Sequence, residues 1–122
     1  MKIAIPVDDK KMDSTVCMSF GRTPYFLIYD TDTEQSVFLD NSAAAAQGGA
    51  GIKAAQAVID NGAVVLLTPR CGENAALVFK AANVDIYRTS GESIRDNIAA
   101  FKEGKLQLLT EIHPGFHGHG GK

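Results

Sequence analysis

The first part of the chain contains three short runs of mostly apolar residues, bounded by polar segments, that are typical of β-strands. In Lys2–Val7, Ile3, Ile5 and Val7 fall on one face of an extended chain, which predicts a buried strand. Tyr25–Asp30 and Ser36–Asp40 are rich in β-branched and aromatic residues, and the polar residues between them predict a turn. These two segments are therefore expected to pair as a hairpin.

Three later segments repeat apolar residues at the spacing of an amphipathic helix. They cover residues 52–59, 72–82 and 93–102. The apolar runs 63–67 and 84–87 are too short for helices and predict strands. The order of elements predicts an α/β fold with a mixed five-stranded sheet, one antiparallel strand and about three helices.

The composition is that of one globular domain. The chain has 122 residues, of which 45% are hydrophobic and 21% are charged. We expect residues 1–112 to form this domain and residues 113–122 to form a Gly/His-rich flexible tail. The net charge of -2, without a Lys/Arg cluster, argues against nucleic-acid binding. The longest apolar run is too short to cross a bilayer and no signal peptide is recognisable, so we expect a cytoplasmic protein without membrane contacts.

The unusual residues are expected to meet at one edge of the sheet. The antiparallel meander gives the first and third strands the same direction, and right-handed crossovers make the last two strands parallel to them. The carboxyl ends of these four strands, and the start of the antiparallel second strand, therefore share this edge. The loops that reach it carry Arg22, Arg70, Cys17, Cys71, Gly48, Gly49, Gly51 and Gly72. In open α/β sheets ligands bind at this edge, and the sequence therefore predicts a binding site there.

The chemistry of these residues favours an anionic, sulfur-tolerant ligand. Glycines at helix starts expose backbone N–H groups, and arginines add forked donors. Cys71 precedes a predicted helix, where a thiolate and hence a soft metal ligand is favoured. Each feature also has an interpretation without a ligand. The glycines can serve close helix packing, Cys71 can be a turn residue, and Arg22 can be a solvent-exposed side chain. Cys17, next to Met18, is either a soft ligand or an apolar plug under the loop.

All three histidines lie near the end of the chain, among glycines. His113, His117 and His119 have a spacing at which imidazoles can share Zn, Ni, Cu or Fe. The alternative is an incidental tail, because these histidines do not form a defined coordination motif.

Four motifs resemble the dinitrogenase iron-molybdenum cofactor-binding family, which includes small carriers of the NifX and NifB C-terminal type. They are SFGRTPYFLIYD at 19–30, GGAG at 48–51, CGENA at 71–75 and IAAFKEGKL at 98–106. The resemblance spans residues 1–109 in matching order. It implies a ribonuclease-H-like fold with strand order 3-2-1-4-5, and glycine- and histidine-rich tails recur in the family. Many members have a histidine where this chain has Ser19, which departs from the family pattern.

The resemblance implies a carrier or scaffold for an anionic metal–sulfur cluster that contains iron, molybdenum or both. It also implies donor and acceptor metalloproteins as partners, and no catalysis. The alternative is a regulatory or interaction module that binds a small anion or a partner protein. A nuclease is disfavoured, because metal-dependent nucleases need several convergent carboxylates and only Asp8 and Asp9 are well placed.

Overall fold

The computed structural model describes residues 1–45 and 48–109. In this part of the chain a mixed sheet is combined with three α-helices. The elements are β1 (Lys2–Val7), β2 (Tyr25–Asp30), β3 (Ser36–Asp40), a 3-10 turn (Ser42–Ala45), α1 (Ala50–Asp60), β4 (Ala63–Thr68), α2 (Glu73–Ala81), β5 (Asp85–Arg88), α3 (Ile94–Lys102) and β6 (Gln107–Leu108).

The strands form a single sheet in the order β3-β2-β1-β4-β5-β6. β2 is antiparallel to β1 and β3, whereas β1, β4 and β5 are parallel. The predicted α/β class and the order 3-2-1-4-5 are confirmed. The predicted number of five strands is one too low, because Gln107–Leu108 adds a second antiparallel strand beside β5. Two residues are too few to show an alternating pattern, so the sequence does not reveal this strand.

Hydrophobic cores cover both faces of the sheet. α1 and α2 pack on one face, where Val58 and Phe79 are fully buried, and α3 packs on the other through Ile94. The alternation in β1 explains this, because Ala4 faces the first core while Ile3 faces the second. Each large apolar side chain buried in this way contributes about 1.5–3 kcal/mol to folding.

The long loop after β1 is tied to its surroundings by backbone hydrogen bonds. Val16 forms an isolated bridge with Val7, and its N–H donates to the carbonyl of Glu92 at 2.9 Å. The N–H of Cys17 donates to the carbonyl of Pro6, also at 2.9 Å. The loop therefore returns to the carboxyl end of β1 before it enters β2.

Among the described residues, no helix combines the length and the apolar character that a membrane span requires.

Candidate functional site

An open groove lies at the edge of the sheet where β1, β4 and β5 end. Its volume of about 530 Å³ falls within the range of small-molecule and cofactor pockets, roughly 300–1,000 Å³. Three stretches far apart in sequence line it: residues 18–22, 49–52, and 70–75 without Glu73.

The directions of the strands bring these stretches together. β4 is parallel to β1, so the residues after β4 lie at the carboxyl edge. β2 is antiparallel to β1, so the residues before β2 reach the same edge. Phe20 anchors the loop before β2, with its ring 5.1 Å from that of Phe26 and 5.4 Å from that of Phe79.

Six of the predicted site residues line this groove. They are Arg22, Gly49, Gly51, Arg70, Cys71 and Gly72. Gly48 is exposed beside the start of α1 but is not part of the lining. Cys17 is half-buried near the end of β1 and is also not part of the lining.

The predicted tail ligands His113, His117 and His119 lie outside the described residues. β6 runs antiparallel to β5. The described chain therefore heads away from the groove edge as it reaches Leu109.

Helices α1 and α2 begin at the groove, and neither has an N-cap side chain. Gly49 precedes α1 in a left-handed conformation (φ 69°), and Gly72 precedes α2 in an extended conformation. Because both N-cap residues are glycines, neither N-cap offers a side-chain acceptor to the first N–H groups of its helix. By contrast, α3 is capped by Ser93, whose hydroxyl accepts from the N–H of Asp96 at 3.1 Å. The starts of α1 and α2 thus present N–H groups and partial positive charge to the groove.

Both groove arginines are exposed, and hydrogen bonds hold the side chain of Arg22 and the backbone of Arg70. Nη1 of Arg22 donates to the carbonyl of Ala44 at 2.8 Å. The carbonyl of Arg70 accepts from the fully buried hydroxyl of Thr68 at 2.9 Å, which fixes the backbone after β4. Among the described residues that line the groove there is no carboxylate. The described lining therefore contributes two positively charged side chains and no acidic one.

Cys71 differs from the expectation for a thiol at a helix start. The residue is only 1% exposed, and burial raises the pKa of its thiol to about 11. A helix start favours the thiolate by about 0.3–1 kcal/mol, whereas a rise of the pKa from 9.0 by two units corresponds to roughly 2.7 kcal/mol. Desolvation therefore outweighs the helix dipole, and the prediction of a readily ionised thiol is wrong. Sγ instead contacts the carbonyl of Gly72 at 3.6 Å.

Within residues 1–45 and 48–109, no group of three or more His, Cys, Asp or Glu side chains lies close enough together to hold a metal ion. The hydrogen-bond donors of the described lining include backbone N–H groups, the two guanidinium groups and the side-chain amide of Asn74.

Several residues that line the groove were not among the predicted site residues. Gly21 packs so closely against α1 that a Cβ added there would lie 3.2 Å from both Cα and N of Gly51. Met18 and Ile52 add exposed apolar surface to the lining, and Asn74 adds an amide. The FGR motif draws attention to Gly21 but does not reveal its partner 30 positions later, and no local pattern distinguishes Met18, Ile52 or Asn74.

Comparisons with known proteins agree with this architecture. The orange protein from Desulfovibrio gigas, in its apo form, matches with a TM-score of 0.85 and 30% identity over 89% of this chain and 92% of that one. A Thermotoga protein provisionally assigned as NifB matches with a TM-score of 0.81 and 36% identity over 93% of this chain and 97% of that one. An uncharacterised protein of Methanocaldococcus jannaschii is 29% identical over 110 residues, which cover 88% of this chain and 90% of that protein.

The family model described as "Dinitrogenase iron-molybdenum cofactor" matches residues 1–104. This match covers most of the chain, including the three stretches that line the groove. The chain therefore belongs to the dinitrogenase iron-molybdenum cofactor family.

Proposed function

We propose that this chain carries or scaffolds an anionic metal–sulfur cluster, containing iron, molybdenum or both, and does not act as an enzyme. One observation carries the proposal: two uncapped helix starts and two arginines converge on one groove whose described lining has no carboxylate. Such an arrangement binds negative charge at several points at once. In this proposal the cluster is cargo that the protein receives and passes on.

The donor set fits a cluster whose metals are already saturated by sulfide. Such a cargo needs hydrogen-bond donors and positive charge around its outer sulfur atoms rather than protein ligands to each metal. N–H groups at the starts of α1 and α2, together with Arg22 and Arg70, supply both. Met18 and Ile52 give part of the groove an apolar surface that suits polarisable sulfide.

We assign Cys71 a secondary role in this site. Coordination of a metal by Sγ requires loss of the thiol proton, and burial raises the pKa of that thiol to about 11. Cys71 therefore coordinates only if the metal displaces the proton. Cys17 and the tail histidines remain proposed as additional soft ligands, because the family resemblance favours metal contacts in such tails.

The comparisons support a role in carrying a bound group. The matching family is described by the iron-molybdenum cofactor, and the orange protein was solved in an apo form, the term for a protein free of its bound group. We propose donor and acceptor metalloproteins as the partners of the exchange, since a carrier acts between two such proteins.

Anaerobic reconstitution tests the proposal. The protein is titrated with tetrathiomolybdate, alone and with iron and sulfide, while visible absorption and stoichiometry are recorded. Replacing Arg70 by alanine is expected to weaken tetrathiomolybdate binding at least about tenfold, because a hydrogen bond to a charged group contributes about 1.5–3 kcal/mol. Arg95→Ala is the matched control, because Arg95 is exposed on α3, on the opposite face of the sheet. Its affinity should stay within about twofold of the original chain.

Two results would contradict the carrier proposal. A protein that stays colourless under all these conditions does not bind such a cluster. Equal losses in Arg70→Ala and Arg95→Ala would show that binding is unspecific. Molybdate and phosphate serve as further probes: if either binds as tightly as tetrathiomolybdate and depends equally on Arg70, the protein is instead a module that binds a small anion.

A further inference from the structure

Asn41 lies outside the groove lining and yet contacts both segments that position Arg22. Its side chain is almost fully buried, with 9% of the residue exposed. Nδ2 donates to the carbonyls of Gly21 at 3.1 Å and Thr23 at 2.9 Å. Oδ1 accepts from the N–H of Ala43 at 3.2 Å. The two amide hydrogens thus hold the backbone on either side of Arg22.

The backbone of Asn41 makes the same connection. Its N–H donates to the carbonyl of Pro24 at 3.0 Å, and its carbonyl accepts from the N–H of Ala44 at 3.1 Å. The carbonyl of Ala44 in turn accepts from Nη1 of Arg22 at 2.8 Å. A closed ring of hydrogen bonds therefore runs from Asn41 to the loop, through the Arg22 side chain to the 3-10 turn, and back to Asn41.

This ring of hydrogen bonds holds both the backbone next to Arg22 and the guanidinium group of Arg22. Asn41 holds the backbone from which the side chain starts, and the turn that begins after Asn41 presents the carbonyl that holds the guanidinium. A free arginine side chain has large rotamer entropy, and ordering it only when a ligand arrives weakens binding. An arginine that is already ordered avoids this cost.

We propose that Asn41 is a positioning residue that preorganises Arg22 for the anionic cargo, an inference that rests on the proposed function of the groove. Asn41 acts through Arg22 and does not touch the cargo. No other residue type matches its hydrogen-bond partners at the same size: serine lacks the two amide hydrogens, and aspartate offers only acceptors when ionised.

A double-mutant cycle in tetrathiomolybdate affinity tests the inference. Arg22→Ala is expected to weaken binding about tenfold in the original chain but less than about twofold when Asn41 is already alanine. Arg70 provides the matched control, because its position depends on Thr68 rather than on Asn41. Arg70→Ala should weaken binding by the same factor with and without Asn41.

Thermal unfolding shows which variants are folded at the assay temperature. If Asn41→Ala is unfolded there, Asn41→Ser replaces it, because a serine hydroxyl keeps an acceptor for the N–H of Ala43 while the two amide hydrogens that bind the loop are removed. Additive effects of Asn41 and Arg22 substitutions would overturn the positioning role, since a residue that only stabilises the fold has no reason to change the effect of Arg22. If neither Arg22→Ala nor Arg70→Ala weakens binding, the proposed function fails instead, and the two failures are thus distinguished.

Discussion

Gly21 and Gly51 form the tightest junction in the groove, and replacing Gly21 by alanine tests it directly. An added Cβ would lie 3.2 Å from Cα and N of Gly51 and 3.6 Å from the carbonyl carbon of Ala50. All three atoms belong to the backbone at the start of α1, so no flexible side chain can move aside. The loop that carries Arg22 and the first turn of α1 must then shift apart by a few tenths of an ångström.

The expected cost follows from two opposing effects. Overpacking of a closely fitted contact costs about 1–3 kcal/mol. Alanine reduces the conformational entropy of the unfolded chain, which returns about 0.4–1 kcal/mol. The net loss should be about 1–2 kcal/mol in the free energy of unfolding, or a fall of about 4–8 °C in Tm for a domain of this size.

Urea unfolding of three glycine variants separates steric from conformational effects. Gly48→Ala is the control, because no described atom lies within 4 Å of the added Cβ and its φ is not positive, and it should not lose stability. Gly49→Ala meets open space but requires a left-handed alanine at φ 69°, which costs about 1–2 kcal/mol before the entropy gain. If Gly21→Ala proves as stable as Gly48→Ala, the close contact between the loop and α1 does not exist in solution.

Two further substitutions probe the buried thiol and the helix on the other face. Because the pKa of Cys71 is raised from 9.0 to about 11, its thiol stabilises the fold fully below pH 9 and loses this effect as the pH rises through 11. Urea unfolding gives the difference in the free energy of unfolding between the original chain and Cys71→Ala. This difference should fall by roughly 2 kcal/mol between pH 8 and pH 11. If it stays constant over this range, the thiol is solvated. Ser93→Ala removes the cap of α3 and should cost about 1 kcal/mol while leaving tetrathiomolybdate affinity unchanged, whereas a loss of affinity would mean that α3 communicates with the groove.

The elements that the sequence predicts are those with a local signature. The mostly apolar runs of β1 and β4 predict strands that are buried on both faces, and the spacing in α1 predicts one buried stripe. The convergence of Arg22 and Arg70 at one edge also follows, because strand direction places the start of β2 at the same edge of the sheet as the end of β4. Periodicity and chain direction are properties that a single stretch of sequence carries.

Only the tertiary structure decided the properties that depend on distant neighbours. Cys71 precedes a helix, as expected, but the chain packed around it removes water and keeps the thiol protonated. The contact of Gly21 with Gly51 and the ring around Asn41 join residues about 20–30 positions apart, and each position is unremarkable in its own segment. Desolvation and close packing are set by whatever the rest of the chain places against a residue, and local spacing does not encode them.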